Sequence, residues 1–224
     1  MAKPIQIAID GPAAAGKSTI AKIVAEKLGY IYIDTGAMYR AITLKAINQG
    51  IDLSSNEEAG ALLLETAIDL QPSTNGQLVF LDRKNVTEEI RTQVVTQAVS
   101  QMSAHGLVRE RMVELQQQLA EGRGVVMDGR DIGTHVLPNA PLKIFMSASV
   151  EERAARRFKE NKTRGIETPL HELQAEIAKR DKMDSERDVA PLKKAEDAIF
   201  LDTTTLTIQE AASEILKLAE ERLS

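Results

Sequence analysis

The stretch IAIDGPAAAGKSTIA, residues 7–21, constrains the fold more than any other part of the chain. A short apolar run, Ile5 to Ile9, leads into a glycine-rich turn, after which Ile20, Ile23, Val24 and Leu28 recur at helical spacing. Strand, loop and helix follow in that order. Gly11, Gly16, Lys17 and Ser18 fit the pattern G-x-x-x-x-G-K-[ST], in which backbone N–H groups wrap phosphates, the lysine reaches the β and γ groups and the hydroxyl ligates Mg²⁺. A pattern with four fixed positions also arises by chance, and Gly16 alone could simply open a helix. The strand before it and the helix after it are the context the motif demands, and the helix N-terminus adds free N–H groups and a positive dipole end. The loop Gly11, Pro12, Ala13, Ala14, Ala15, Gly16, Lys17, Ser18 and Thr19 is therefore expected to bind a nucleoside triphosphate, with Ser18 on the metal.

A chain of 224 residues suggests one domain, or one with a sizeable insertion, at about 150 residues per domain. The absence of cysteine excludes disulfides, zinc–thiolate sites and thiol nucleophiles. The start, MAKPIQIAID, lacks a signal-peptide pattern, and no apolar run approaches the roughly 18 residues that span a bilayer. A cytoplasmic protein without a membrane partner is expected. A net charge of −5 gives little electrostatic support for nucleic-acid binding. Against that background, Val150 to Lys194 carries 12 Lys and Arg residues and 10 Asp and Glu, a local positive excess suited to anions.

The rest of the chain alternates strand-like and helical patterns. Gly29 stops the first helix, Tyr30 to Ile33 reads as a strand ending at Asp34-Thr35-Gly36, and a helix runs on to about Asn48. Ser54-Ser55-Asn56-Glu57 is a capping signal for a leucine-rich helix. Ala67 to Leu70, Gln77 to Leu81 and the residues near Val86 are β-like runs separated by the turn signals Asn75-Gly76 and Asp82-Arg83-Lys84-Asn85, which together predict a small antiparallel meander. Thr92 to Met102 and Leu107 to Leu119 have helical spacing. Val125 to Met127 leads into Asp128-Gly129-Arg130-Asp131, and Leu142 to Met146 into the capping box Ser149-Val150-Glu151-Glu152. Ala198 to Leu201 is the last strand, and Thr207-x-x-Glu210 caps a final helix. The fold class is α/β: a parallel sheet with helices on both faces and ligands at the carboxyl ends of the strands, interrupted by the meander. No long apolar heptad appears, so a monomer is expected.

A phosphate loop serves switches, motors and small-molecule kinases alike. The base-reading N-K-x-D of a guanine switch is absent, since Asn161-Lys162 continues as Thr163-Arg164, and no D-x-x-G occurs. A kinase must exclude water while donor and acceptor meet, which calls for a cationic lid. Arg153, Arg156 and Arg157 share one helical face; with Glu151, Glu152 and Glu160 nearby, a solvated salt-bridged face is the plainer reading, and the upstream loop tips the balance toward arginine fingers. A phosphate monoester acceptor is already largely dianionic at neutral pH and needs no general base. It needs cationic clamps, and Arg40, Arg130, Arg180 and Arg187 are placed to supply them. His105, His135 and His171 have no placed nucleophile beside them and read as structural. A kinase for another acceptor and a regulatory nucleotide-hydrolysing protein remain the alternatives at this level.

With IDGPAAAGKST, DTGAMYR (34–40), EIRTQ (89–93), DGRDIGT (128–134), KRDKMDSERDVAPL (179–192) and LDTTTL (201–206) in this order, the chain resembles the bacterial cytidylate (CMP) kinases from Ile5 to its C-terminal helix. The resemblance implies a P-loop kinase core at 1–60 and 108–224, a nucleoside-monophosphate-binding insertion at 61–107 and an arginine-bearing lid at 153–168. It implies ATP and Mg²⁺ as donor and cofactor, and CMP and dCMP as acceptors. Ser100, Arg109 and Asp131 would face cytosine, with Thr35 and Tyr39 in the same acceptor site; read alone, Ser100 and Arg109 are helix surface and Asp131 a strand-end cap. Arg180 and Asp184 would hold the ribose, Arg40, Arg130 and Arg187 the acceptor phosphate, and Arg153, Arg157 and Arg164 the moving phosphoryl group. Lys17, Arg130, Arg153 and Arg157 form the expected catalytic set. Asp128, at the end of a strand, is open as an acidic partner of the metal.

Overall fold

The computed structural model describes residues 3–73, 76–163 and 165–223. The first strand, β1 (Gln6–Asp10), sits at the centre of a five-stranded sheet because its residues are apolar on both faces. Ile7 and Ile9 point to one face, where they meet Ile20 and Val24 of α1 (Lys17–Leu28) and Ile215 of α8 (Ile208–Leu223). Ala8 points to the other, against Met127 and Ile132. Burial of each such isoleucine contributes about 1.5–3 kcal/mol.

All pairings in this sheet are parallel, in the order β2 (Ile31–Asp34), β6 (Val125–Gly129), β1, β7 (Leu142–Ser147), β8 (Ile199–Asp202). The chain leaves β1 toward one edge and later returns to the other. That reversal opens a crevice at the carboxyl ends of β1 and its neighbours. The stop and capping signals act as read: Gly29 ends α1 in the left-handed conformation, Ser55 caps α3 (Asn56–Leu64), and Thr207 and Glu210 cap α8 reciprocally. Asp34, read only as a strand end, also caps α2 (Thr35–Gln49).

The meander is a three-stranded antiparallel sheet, β3 (Ile68–Ser73), β4 (Gly76–Leu81) and β5 (Lys84–Asn85). Of the two turn signals, Asp82-Arg83 has positive φ at both residues, as a tight hairpin requires; Asn75 lies outside the described residues. One face of this sheet packs on Ala37, Ala41 and Leu44 of α2, while the neighbouring Met38 and Ile42 pack with α3, α4 (Gln93–Met102) and α5 (Gly106–Ala120). The Gln77 side chain ties the small sheet to the edge of the large one, donating to the Tyr32 carbonyl (2.5 Å) and accepting from the Asp34 N–H (3.1 Å).

Two elements had no clear periodic signal. Residues Ile132–Val136 form a single wide helical turn after β6. Helix α7 (Leu170–Glu186) follows α6 (Val150–Thr163) and buries only Leu173, Ile177 and Asp184. So thin an apolar stripe is hard to read from spacing.

Candidate active site

The phosphate loop closes tightly on β7. Gly11 has φ +151°, and a Cβ there would stand 2.0 Å from the Met146 carbonyl oxygen, so only glycine fits. Gly16, at φ +89°, turns the chain into α1. The Lys17 ammonium is buried and donates to the Pro12 carbonyl at 2.8 Å. Burial, and then Arg130, push its pKa well down, while Asp128 and Asp10 act in the other direction. An anion in the loop would restore the charged form.

Asp128 ends β6 beside this loop. Its carboxylate accepts from Ser18 Oγ (2.9 Å) and the Tyr32 hydroxyl (2.8 Å), and its carbonyl accepts from Thr35 Oγ1 (2.8 Å). Burial and the neighbouring Asp34 raise its pKa. Ser18 and Asp128 form a pair of hard oxygen donors, the set that suits Mg²⁺, which takes few protein ligands and completes its shell with water and phosphate. Among the described residues no three His, Cys, Asp or Glu side chains could cage a metal unaided. The pair fits an ion shared with a phosphate ligand.

At the far end of the cleft a second polar cluster is buried. Arg109 pairs with Asp131, donates to the Ser103 carbonyl (3.0 Å) and lies over the Tyr39 ring at 5.5 Å. Arg187 approaches the other oxygen of Asp131 at 3.6 Å. Arg109 is only 2% exposed and Ser100 8%, so neither is the helix-surface residue that its spacing alone suggests. Between the two ends, Arg130 Nε donates to Asp184 (2.8 Å) and Arg40 to Thr96 (2.8 Å). Burial, followed by Arg180, lowers the Arg40 pKa to about 9; burial, followed by Arg130, lowers that of Arg180 to about 10. So many cations close enough to depress one another mark a place built for an anion. Arg109 Nε, Arg180 Nε and an Arg187 terminal nitrogen are buried donors with no protein hydrogen-bond acceptor.

One cleft of about 1330 Å³ joins the two ends. It exceeds the roughly 300–1,000 Å³ of a single small-ligand site, so it has room for two ligands side by side. Ala13 to Thr19, Thr35, Tyr39, Arg40, Ser100, Arg109, Arg130, Asp131, Arg157, Arg180, Asp184 and Arg187 all line it. Gly11 and Pro12 shape the loop from beneath. No histidine lines the cleft among the described residues.

Arg153 is the predicted residue that separates from the rest. Expected beside Arg157 on the phosphoryl group, it is instead 4% exposed and absent from the cleft wall. Its guanidinium donates to the carbonyls of Ala148 (2.9 Å) and Ala13 (3.0 Å) and pairs with Asp181 (2.6 Å). The i, i+3, i+4 face carries Arg153 toward the phosphate loop because Ala154 of α6 packs there with Ala14 of the loop and Leu173 and Ile177 of α7. Arg164 lies outside the described residues.

Three contributors, Arg91, Asp181 and Asp10, are given no role by the sequence. Arg91 lines the cleft and pairs with Asp34 at 3.7 Å. Asp181 accepts from the Ala13 N–H at 3.2 Å. Asp10 accepts from two backbone N–H groups after β6. The EIRTQ segment flags the region of Arg91 without assigning it a task; Asp181 and Asp10 are single charges in charged or apolar surroundings. Arg156, which helical spacing sets beside Arg153 and Arg157, donates to the Thr203 carbonyl (2.5 Å) next to the phosphate loop.

A parallel sheet with a phosphate loop at its switch point, facing a cationic pocket that carries a buried Asp–Arg pair, defines a small-molecule kinase of the P-loop class. Comparison with known proteins narrows the class. The cytidylate kinase family model matches residues 7–221, and the chain belongs to that family. It is 64% identical over 223 residues to the cytidylate kinase of Lysinibacillus sphaericus (strain C3-41) and 57% identical over 223 residues to that of Geobacillus thermodenitrificans (strain NG80-2), each match covering 100% of both chains. Among solved structures, a gluconokinase from Sinorhizobium meliloti 1021 superposes with a TM-score of 0.51 at 15% identity, covering 100% of this chain and 95% of that one, a likeness of fold.

Proposed function

We propose that this protein transfers the γ-phosphate of ATP to CMP or dCMP, giving ADP and CDP or dCDP. The observation that carries the reading is the buried Asp131, held by Arg109 and Arg187 in the wall of the same cleft that Lys17 lines. A carboxylate in that place accepts from the cytosine N4 amino group, which uracil lacks, while the arginines donate to the ring acceptors. Thr35, Tyr39 and Ser100 complete the acceptor wall, and Arg180 and Asp184 take the ribose hydroxyls.

The chemistry needs charge compensation and alignment more than proton transfer, because the acceptor phosphate is already dianionic. Arg40, Arg130 and Arg187 hold that phosphate, Lys17 the transferred group, and Arg157 the charge that spreads over it in the transition state. Arg153 serves at the root of the lid. Ser18, with Asp128 behind it, would hold Mg²⁺, whose charge would offset part of that of the donor phosphates. The segment 61–107 closes over the acceptor and 153–168 over the donor, excluding water from the γ-phosphate.

The cysteine-free composition, and the lack of any helix among the described residues long and apolar enough to cross a membrane, support a cytoplasmic setting. The net charge of −5 supports small nucleotides rather than nucleic acid as partners, and the lack of apolar heptads a monomer. The test is transfer of label from [γ-³²P]ATP. Label recovered in CDP supports the reading; label recovered only in inorganic phosphate overturns it.

A further inference from the structure

Asp10 is the last residue of β1 and the immediate neighbour of Gly11, yet its side chain points away from the phosphate loop. Its two carboxylate oxygens accept from the backbone N–H groups of Ile132 (2.8 Å) and Gly133 (2.7 Å). Its backbone meanwhile pairs with Gly129 across the parallel ladder. Residue 10 thus anchors the chain both before and after the dipeptide Arg130-Asp131. Those two residues contact the phosphate-side and base-side clusters, through Asp184 and Arg109. Gly133 packs against both side chains: a Cβ on it would lie 3.1 Å from Lys143 Cδ and 3.4 Å, an ordinary contact, from Asp10 Oδ2. A carboxylate buried to this degree is costly to keep charged, and among the described residues its hydrogen-bond partners are these two main-chain donors.

We propose that Asp10 is a positioning residue for base selection, fixing the Arg130-Asp131 dipeptide relative to the phosphate loop so that Asp131 meets the acceptor base in register. The inference rests on the reading of Asp131 as the residue that faces cytosine. Asparagine at position 10 keeps the size but offers an N–H₂ where one of the two backbone donors needs an acceptor. The turn then swings, and Asp131 with it. Donor binding is made by residues 11–19 and is spared.

The experiment compares Asp10→Asn, Asp131→Ala and the unaltered protein by kcat/KM for CMP and for UMP, with KM for ATP and the melting temperature measured alongside. A misplaced base contact loses part of the discrimination that a well-made bidentate one supplies. The CMP-over-UMP ratio should therefore fall about tenfold in Asp10→Asn, with KM for ATP within about twofold. A purely structural role lowers yield or melting temperature but leaves the ratio alone, because the active fraction cancels. An unchanged ratio in Asp10→Asn beside a reduced one in Asp131→Ala overturns the role of Asp10 and leaves that of Asp131 standing. An unchanged ratio in Asp131→Ala overturns the base-reading assignment itself, and this inference with it. Should Asp10→Asn fail to fold, Asp10→Glu keeps the charge but lengthens the side chain by one methylene and shifts the same turn, and the same fall in ratio is expected; an unchanged ratio there overturns the proposal.

Discussion

Arg153 of α6 and Asp181 of α7 form an ion pair, 2.6 Å apart, that grips the peptide of Ala13 from both sides: Arg153 donates to its carbonyl and Asp181 accepts from its N–H. Helices α6 and α7 are thereby fastened to the phosphate loop. Removing the carboxylate leaves a buried guanidinium without its counter-charge, which typically costs about 3–5 kcal/mol, with the lower end expected because Asp181 is partly exposed. Asp181→Ala should lower the melting temperature by roughly 6–12 °C, at about 2–4 °C per kcal/mol for a chain of this size. Calorimetry checks this; an unchanged melting temperature would show that the pair contributes nothing.

Lys17 is buried at the floor of the donor site. Lys17→Ala should reduce kcat by about 10²–10³, the usual loss for one preorganised contact to transition-state charge. CMP binding, measured by calorimetry, should hold within a few-fold. Retention of the full transfer rate would remove the lysine from the mechanism.

Among the described residues, Arg157 faces the cleft near Arg40 and Arg180 with a long 3.5 Å contact to Glu160 on its own helix. In the proposed reaction a side chain so placed moves onto the phosphoryl group. Arg157→Ala should lower kcat by about 10³ or more with little change in KM for CMP, the pattern of a contact made mainly in the transition state. Arg153→Lys, by contrast, should act mainly through stability. Steady-state kinetics and thermal melts on the two variants separate the roles.

Burial raises the Asp10 pKa to about 6 from its ordinary 3.8, overriding the two backbone hydrogen bonds; Asp131 adds to the rise and Lys17 opposes it. The native state therefore binds more protons than the unfolded chain between about pH 4 and pH 6, and Asp10's contribution to stability falls as pH rises through that window. Asp10→Asn removes this dependence. Urea unfolding at several pH values should give a flatter profile for the variant, the difference across the window amounting to at most about 3 kcal/mol. Parallel profiles would mean that Asp10 titrates near its ordinary value.

The parts of the site that could be read in the chain are those whose chemistry is local. Residues 11–19 carry the phosphate loop within a single turn, and the capping residues Ser55, Thr207 and Glu210 act within four positions of themselves. Asp131 and Arg109 are different: they lie 22 residues apart and meet only because α5 and the end of β6 converge. Taken singly, Arg109 looks like helix surface, and only the family resemblance assigned it a base. Arg153 shows the opposite failure. Helical spacing correctly put it on one face with Arg156 and Arg157, but spacing cannot tell which end of that face packs against the loop. Asp10 was hidden inside an apolar strand, where its single charge gave no pattern to follow.

The most direct test of the whole account is ADP formation from ATP and Mg²⁺ with CMP, dCMP, UMP, AMP, GMP or no acceptor, run in parallel. Stimulation by CMP and dCMP far above the other acceptors is the predicted result. Equal ADP formation with and without an acceptor would contradict it, because the proposed lid and the buried Asp–Arg pair would then serve neither water exclusion nor base selection.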